Sequence, residues 1–543
     1  MTTRLGEMLT QRLVARAACW SLIACLPFWT VYLHHFLVGP NEPTGFIILD
    51  MAYYSANGRE IFERGNGLGY CNPYDNDPHS PVIYFHWLQW LLGVGPAIFG
   101  LDPGLWTVFI TVTAGWVTAR LTWSLVSSIL PDSRWKIPCY LLTMWGGGFL
   151  VIGQITLNFF NGRSLLEDLL LHDPFGGWWF LSWGRNIVLP TEAVYHALVA
   201  AAWLATVRGH WWRATAAITA LAATHPFSGI EHLAILGSWL GVQSYMTKAA
   251  RLPLLAVTGV TAAFLAYYFL YLPQFAAYRA VHADWSLHWV LPLASLLLAY
   301  AAVALCCGMR IFCGPFPLAR HDQFFLLAAG IAFVLVKHEW FLPARQPLHF
   351  TRGYVWLPLW LVGLPWLHRW IGVIAASRPV WSGRIALSLL ALLAVLDNTT
   401  WLISQWQTPA GGHTDVRTSG AMRDLYRFID SRNLTGTLLI VKPADDSWED
   451  YNYLAATYTS TTPLLGHPFL TPNFKARCAD VVAWEQSGQI SGCVDQVKLL
   501  AVPRITLGSS PPLDKNCWKP VYGNTVMVLL ERVTQPAGRA ETQ

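Results

Sequence analysis

Asp50 is the first acid after the first long apolar run, and it heads the stretch FIILDMAYYSANGREIFERGNGLGYCNPYDNDPHSPVIYFHW, residues 46–87. A carboxylate at a membrane surface can take the proton of an attacking hydroxyl. Asp is also a favoured residue at a helix start. Both readings can hold, because a helix N-terminus favours the ionised form. Tyr53 and Tyr54 follow within one helical turn, and a Gly/Asn/Pro-rich loop then carries His79, Ser80 and Pro81 into the aromatic run IYFHW.

A second group lies in KHEWFLPARQPLHFTRG, residues 337–353. Arg345, His349 and Arg352 are candidates to hold a phosphate, since a guanidinium offers a forked pair of donors. Their plainer reading is headgroup contact at the membrane surface. Lys337 and His338, with Glu339, fall deeper, where charges are costly and are either functional or mutually paired.

Three further stretches hold candidates. In NGRSLLEDLLLHDPFGGWWFLSWGRN (161–186), Glu167, Asp168, His172, Asp173 and Arg185 could add a second acid or part of a substrate site. SLLEDLLL also reads as an amphipathic interfacial helix whose acids face water, and Trp178, Trp179 and Trp183 as an aromatic belt. THPFSGIEH (224–232) offers His225, Glu231 and His232; His-Pro there also marks a simple helix start. His467 and Arg477, in YTSTTPLLGHPFLTPNFKAR (458–477), could help bind an acceptor or simply build a turn. No HExxH, G-x-S-x-G or Walker sequence occurs, so zinc protease, serine hydrolase and ATPase chemistry have no local support.

The scaffold for these groups is a membrane domain. Of 543 residues, 54% are hydrophobic, 29 are Trp and only 12% are charged, against about 25% charged in soluble domains. The net charge of +5 makes no case for nucleic acid. Spans are expected near 17–38, 104–130, 136–159, 188–207, 211–224, 227–246, 252–272, 286–308, 322–342, 353–375 and 384–404. The segment 82–101 is broken by Gly93, Gly95 and Pro96 and is either a twelfth span or re-entrant. If it does not cross, loops with Arg134, Arg208, Arg213, Lys248, Arg251, Arg310 and Arg320 all fall inside. The outer loops 39–81 and 160–187 and the C-terminal region then share the opposite side. Residues 1–405 form the membrane domain, whose first span is retained. Residues 406–543 form a small extracytoplasmic α/β domain, with a helix over 422–433 and strands at 435–443, 497–503 and 525–533. The expected location is the plasma (inner) membrane. The ten cysteines match no zinc spacing; Cys478 and Cys493 could pair if that region is outside.

The order of acid, short helix with paired tyrosines, His-Ser-Pro turn and aromatic run after a first span resembles the first outer loop of the GT-C superfamily of membrane glycosyltransferases. The multi-span layout extends the likeness along the chain. The loop departs from the family pattern in two places: Met51 follows Asp50 where a second acid is common, and Ser80-Pro81 stands where Pro-Pro is common. The resemblance implies a mainly α, polytopic fold of about 11–12 spans. It implies transfer of a sugar from a polyprenyl-phosphate carrier to an acceptor, with Asp50 as base and inversion at the sugar. It assigns the carrier phosphate to Arg345, His349 and Arg352. A divalent metal beside the acid occurs in some members and is left open here, as are the sugar and the acceptor. The rival is a transporter or flippase of a lipid-linked glycan, which would show paired halves and broken helices; no such pairing is visible in the sequence.

Overall fold

A computed structural model describes residues 2–39, 41–283, 288–314, 317–377, 379–407, 416–441, 448–506, 513 and 517–533. The chain divides into two compact units. The first holds residues 1–34, 109–265 and 287–408; the second holds 35–108, 266–286 and 409–543. The second unit therefore joins the C-terminal region to segments that hydropathy groups with the spans.

Helices run through all eleven expected spans. Five of them, Ala15–Leu37, Lys248–Gln274, Leu293–Cys313, Trp356–Ala375 and Val380–Gln407, are long and apolar enough to cross a membrane. A sixth is added if the pair Lys136–Trp145 and Leu150–Phe160, bent by 63°, counts as one. The chain is thus a helical, polytopic membrane protein, with five or six spans by this measure among the described residues, where eleven or twelve were expected. The segment expected at 322–342 stops early: its helix is Arg320–Val336, followed by a tight turn at His338–Trp340.

In the first unit, the bent pair breaks at Gly146, Gly147 and Gly148. A break inside a span strands the last carbonyls of one helix and the first N–H groups of the next. Two adjacent side chains on the helix Val380–Gln407 meet both needs. The buried Asp397 accepts from the N–H groups of Gly148 (2.8 Å), Leu150 (3.3 Å) and Val151 (3.0 Å). Asn398 donates to the carbonyls of Trp145 (2.7 Å) and Gly146 (3.0 Å). Glycine is required at 147, where a Cβ would lie 2.7 Å from the Asp397 Cβ.

In the second unit, the helix Leu49–Glu63 crosses the helix Trp87–Phe99 through two glycines. A Cβ on Gly93 would sit 2.2 Å from the Gly58 carbonyl oxygen, so only bare backbone fits. The second helix has 13 residues and ends in a left-handed Gly100. At roughly 20 Å it is shorter than a bilayer core. Strands β1 (Glu42–Pro43) and β2 (Arg417–Thr418) pair antiparallel. The remaining strands are β3 (Gly436–Ile440), β4 (Thr461–Pro463), β5 (Val497–Pro503), β6 (Trp518–Gly523) and β7 (Met527–Arg532). They form one sheet in the order β4-β3-β5-β7-β6, parallel over the first three and antiparallel beyond. Leu439, Leu464, Leu500 and Leu530 fill its core with Val481 and Trp484 of the helix Phe474–Ser487. The expected helix at 422–433 is found at Gly420–Ser431. The last two residues of the expected strand 435–443 lie outside the described residues. Cys478 and Cys493 both pack, partly buried, against the core of this sheet.

Candidate active site

In the second unit, Asp50 lies in the first turn of the helix Leu49–Glu63, whose N-cap is Ile48. The plain capping role is therefore not the one it has. Its side chain is 52% exposed, and Oδ1 accepts from Nε2 of His467 at 3.1 Å. Nδ1 of the same ring accepts from the Phe469 N–H at 3.1 Å. Tyr53 contacts His467 edge-on at 5.7 Å and stacks on Tyr74 at 5.7 Å. Tyr54 packs against Tyr53. Of the residues expected in this unit, Asp50, Tyr53, Tyr54 and His467 thus form one cluster. His79 does not join that contact network: it is exposed, and its N–H donates to Asp77 within the loop. Arg477 donates to the carbonyls of Tyr74 and Leu464, tying the first loop to the C-terminal region.

In the first unit, Arg352 and His349 come together and Arg345 does not. Arg352 is buried, with its guanidinium between the rings of Trp179 (5.3 Å) and Tyr195 (5.6 Å). Nη1 pairs with Glu192 Oε1 at 2.5 Å, and Nη2 donates to His349 Nδ1 at 3.0 Å. His349 stacks on Phe227 at 4.4 Å and meets Trp179 edge-on at 4.7 Å. Burial, then the neighbouring guanidinium, holds the His349 pKa well below the usual imidazole value. His349 is therefore a neutral acceptor and brings no charge of its own. The loop is shaped by left-handed backbone at Gln346 (φ 50°) and Arg352 (φ 23°). Arg345 is exposed, and its N–H donates to His338.

Most of the other candidates of this unit have partners of their own. Lys337 pairs with Glu339 at 2.6 Å and donates to the Leu291 carbonyl, so it closes a local pair at the end of its helix. His338 uses both ring nitrogens, one on the Leu335 carbonyl and one on the Arg345 N–H. His225 caps the helix Pro226–Met246, accepting from the Ser228 N–H, and its ring stacks on Tyr195 at 4.6 Å. Glu231 is fully buried in that helix, and neither carboxylate oxygen has a hydrogen-bond partner among the described residues. Asp173 pairs with Arg185 at 2.7 Å, both fully buried. Burial pushes the Asp173 pKa up to about 6 against the pull of that guanidinium. Arg185 also donates to Asn398 Oδ1 at 2.5 Å. Asp168 is exposed in a turn with φ 47°. SLLEDLLL is not a helix: the segment runs as turns, with Asn158 Nδ2 donating to the Glu167 carbonyl.

Sequence reasoning missed Glu192, Tyr195, Asp397 and Asn398. The signal was there for three of them: an ionisable residue one turn into the apolar helix Pro190–Val207, and a lone Asp-Asn pair inside the apolar run 384–404. A cavity of about 550 Å³ lies against Ile152, Leu157, His172 and Leu298. Its lining is mostly apolar, and it holds none of the residues assigned to the reaction. Among the described residues, no three His, Cys, Asp or Glu side chains are grouped to hold a metal.

No protein-family model and no curated protein matches the chain. Solved structures do. The apo crystal structure of ArnT from Cupriavidus metallidurans matches with a TM-score of 0.50 at 14% identity, over 96% of this chain and 98% of that one. ArnT bound to undecaprenyl phosphate matches with a TM-score of 0.48 at 13% identity, over the same shares. An oligosaccharyltransferase from Archaeoglobus fulgidus matches with a TM-score of 0.45 at 12% identity, over 90% of this chain and 69% of that one. At such identities the likeness is one of fold: this chain shares the fold of the apo ArnT structure.

Proposed function

We propose that the chain is a membrane glycosyltransferase that moves a sugar from a polyprenyl-phosphate carrier to an acceptor hydroxyl on the extracytoplasmic side. Asp50 takes the acceptor proton, and the freed oxygen bonds to the anomeric carbon. The bond from that carbon to the phosphate oxygen breaks, and polyprenyl phosphate leaves with the electron pair. A single displacement inverts the anomeric carbon. The phosphate gains negative charge as it leaves, and a cation in a water-poor site offsets it. Arg352 is the residue we assign to that role, with His349 as its neutral neighbour. Arg345 would make the outer contact with the headgroup. A carrier like the undecaprenyl phosphate of the ArnT structure is the ligand this reading takes.

The observation that carries the reading is Asp50: a half-exposed carboxylate in the first turn of a helix, directly after the first span, in a chain that shares the fold of the apo ArnT structure. The test is transfer or release of radiolabelled sugar from a panel of undecaprenyl-phosphoryl hexoses and pentoses by the Asp50→Asn protein. General-base catalysis contributes about 10²–10⁴-fold, and a loss of that size in kcat is expected. Full activity of the variant removes the base assignment. Movement of labelled lipid across vesicles with no sugar transfer would favour the transporter instead.

A further inference from the structure

We infer that His467 is the positioning residue for Asp50, which it holds through a ring locked in one tautomer. The inference rests on the base assignment above. Each ring nitrogen has a different duty. Nδ1 accepts from the Phe469 N–H at 3.1 Å, so its lone pair is occupied and it carries no proton. The ring proton therefore sits on Nε2 and points to Asp50 Oδ1, 3.1 Å away. A neutral imidazole donating to a carboxylate fixes the carboxylate's rotation without forming an ion pair. Oδ1 is engaged, and Oδ2 is left for the acceptor hydroxyl.

The donor is much better anchored than the carboxylate it holds. The His467 side chain is 11% exposed, against 52% for Asp50. Its ring is packed by Tyr53 at 5.7 Å, Tyr453 at 5.3 Å and Phe469 at 5.6 Å. Its carbonyl accepts from the N–H groups of Leu470 and Thr471, closing a turn. Asn72 of the first loop donates to the Leu470 carbonyl at 2.7 Å and ties that turn to the Asp50 loop. Gly466 completes the fit: a Cβ there would lie 2.3 Å from Cδ1 of Tyr74. The C-terminal region thus supplies a buried, well-packed reference point for a water-facing base. Fixing a reacting group in this way is worth much, since misplacement by 1 Å can cost about 10²-fold in rate.

Two substitutions separate positioning from turn-building. In His467→Asn the amide oxygen stands near Nδ1, so it can still accept from Phe469, but no donor reaches Asp50. In His467→Gln the longer amide places a donor near Nε2, and the contact with Phe469 is lost. The assay is the undecaprenyl-phosphoryl sugar panel, with the Asp50→Asn protein alongside. Positioning predicts that kcat falls about 10–100-fold in His467→Asn with little change in KM, and that His467→Gln recovers most of it. The reverse order, Asn active and Gln impaired, overturns the inference while an inactive Asp50→Asn protein leaves the base assignment standing. A fully active Asp50→Asn protein overturns the base assignment and this inference with it. Ring-nitrogen NMR of histidine-labelled full-length protein decides the matter without turnover. The signal lost in His467→Asn must be that of a ring protonated at Nε2 alone, and it must shift in Asp50→Asn. A ring protonated at Nδ1, or at both nitrogens, overturns the inference.

Discussion

Arg352 and Glu192 form a buried ion pair at 2.5 Å, from a loop and a helix 160 residues apart in sequence. The arginine assigned to the carrier phosphate is therefore already neutralised in this structure. A phosphate reaching Arg352 would have to displace or share the Glu192 carboxylate. Glu192→Gln removes that competition, and tighter binding of undecaprenyl phosphate is expected, read by titration calorimetry in detergent. Arg352→Met should weaken binding and cost about 3–5 kcal/mol of stability, because it leaves Glu192 buried without its cation. The double substitution should recover most of that stability.

His349 makes stability depend on pH in a defined direction. Its folded pKa is held below the value near 6.5 of a free imidazole. On acidification the unfolded chain therefore takes up this proton first. The His349 contribution is intact above about pH 6.5 and is lost below it, at up to about 1.4 kcal/mol per pH unit. His349→Gln keeps an acceptor for Arg352 and removes the titration. Thermal unfolding at about pH 7.5 and about pH 5.5 should show a smaller fall in Tm for the variant than for the parent. An equal fall would mean that His349 protonates freely in the fold.

Asp397 and Asn398 should count heavily in the stability of the membrane domain. Leaving a buried donor or acceptor unmet costs about 1–3 kcal/mol, and Asp397 alone serves three N–H groups. Asp397→Leu and Asn398→Leu should each lower the denaturant midpoint clearly. The pair should cost less than the sum, since both hold the same break. Additive losses would mean that the two residues act independently.

Gly93→Ala should destabilise the second unit by about 1–3 kcal/mol, as its methyl group meets the Gly58 carbonyl. Gly330→Ala is the control: it lies in the helix Arg320–Val336 with open space around it, and should be neutral or mildly stabilising. The measurement is the unfolding midpoint of each full-length protein. A Gly93→Ala protein as stable as the parent would contradict the close crossing.

Local signals carried much of this architecture. Apolar length located the helices, His225-Pro226 marked a helix start, and VKLLAVP is a strand from end to end. The acid after the first span is where a helix begins. Other features depend on partners distant in sequence. Nothing near Arg352 indicates that Glu192 will neutralise it. His349 counts as a cation in the sequence and loses that character only when Phe227 and Trp179 bury it. SLLEDLLL has helical spacing, yet Asp168 turns left-handed there and Asn158 takes the Glu167 carbonyl. Lys337 sits at an expected membrane depth, but its helix has already stopped, and Glu339 answers it two residues on.

The break at Gly146–Gly148 bears on the order in which the protein can be assembled. Its orphaned amides and carbonyls are met by side chains up to 253 residues further along. During synthesis the early bent segment reaches the bilayer long before the helix that completes it. Until Val380–Gln407 arrives, those groups depend on water or on the insertion machinery. The last long helix is therefore also the one that finishes an early one, and truncation before Asp397 should leave a chain that inserts but does not mature.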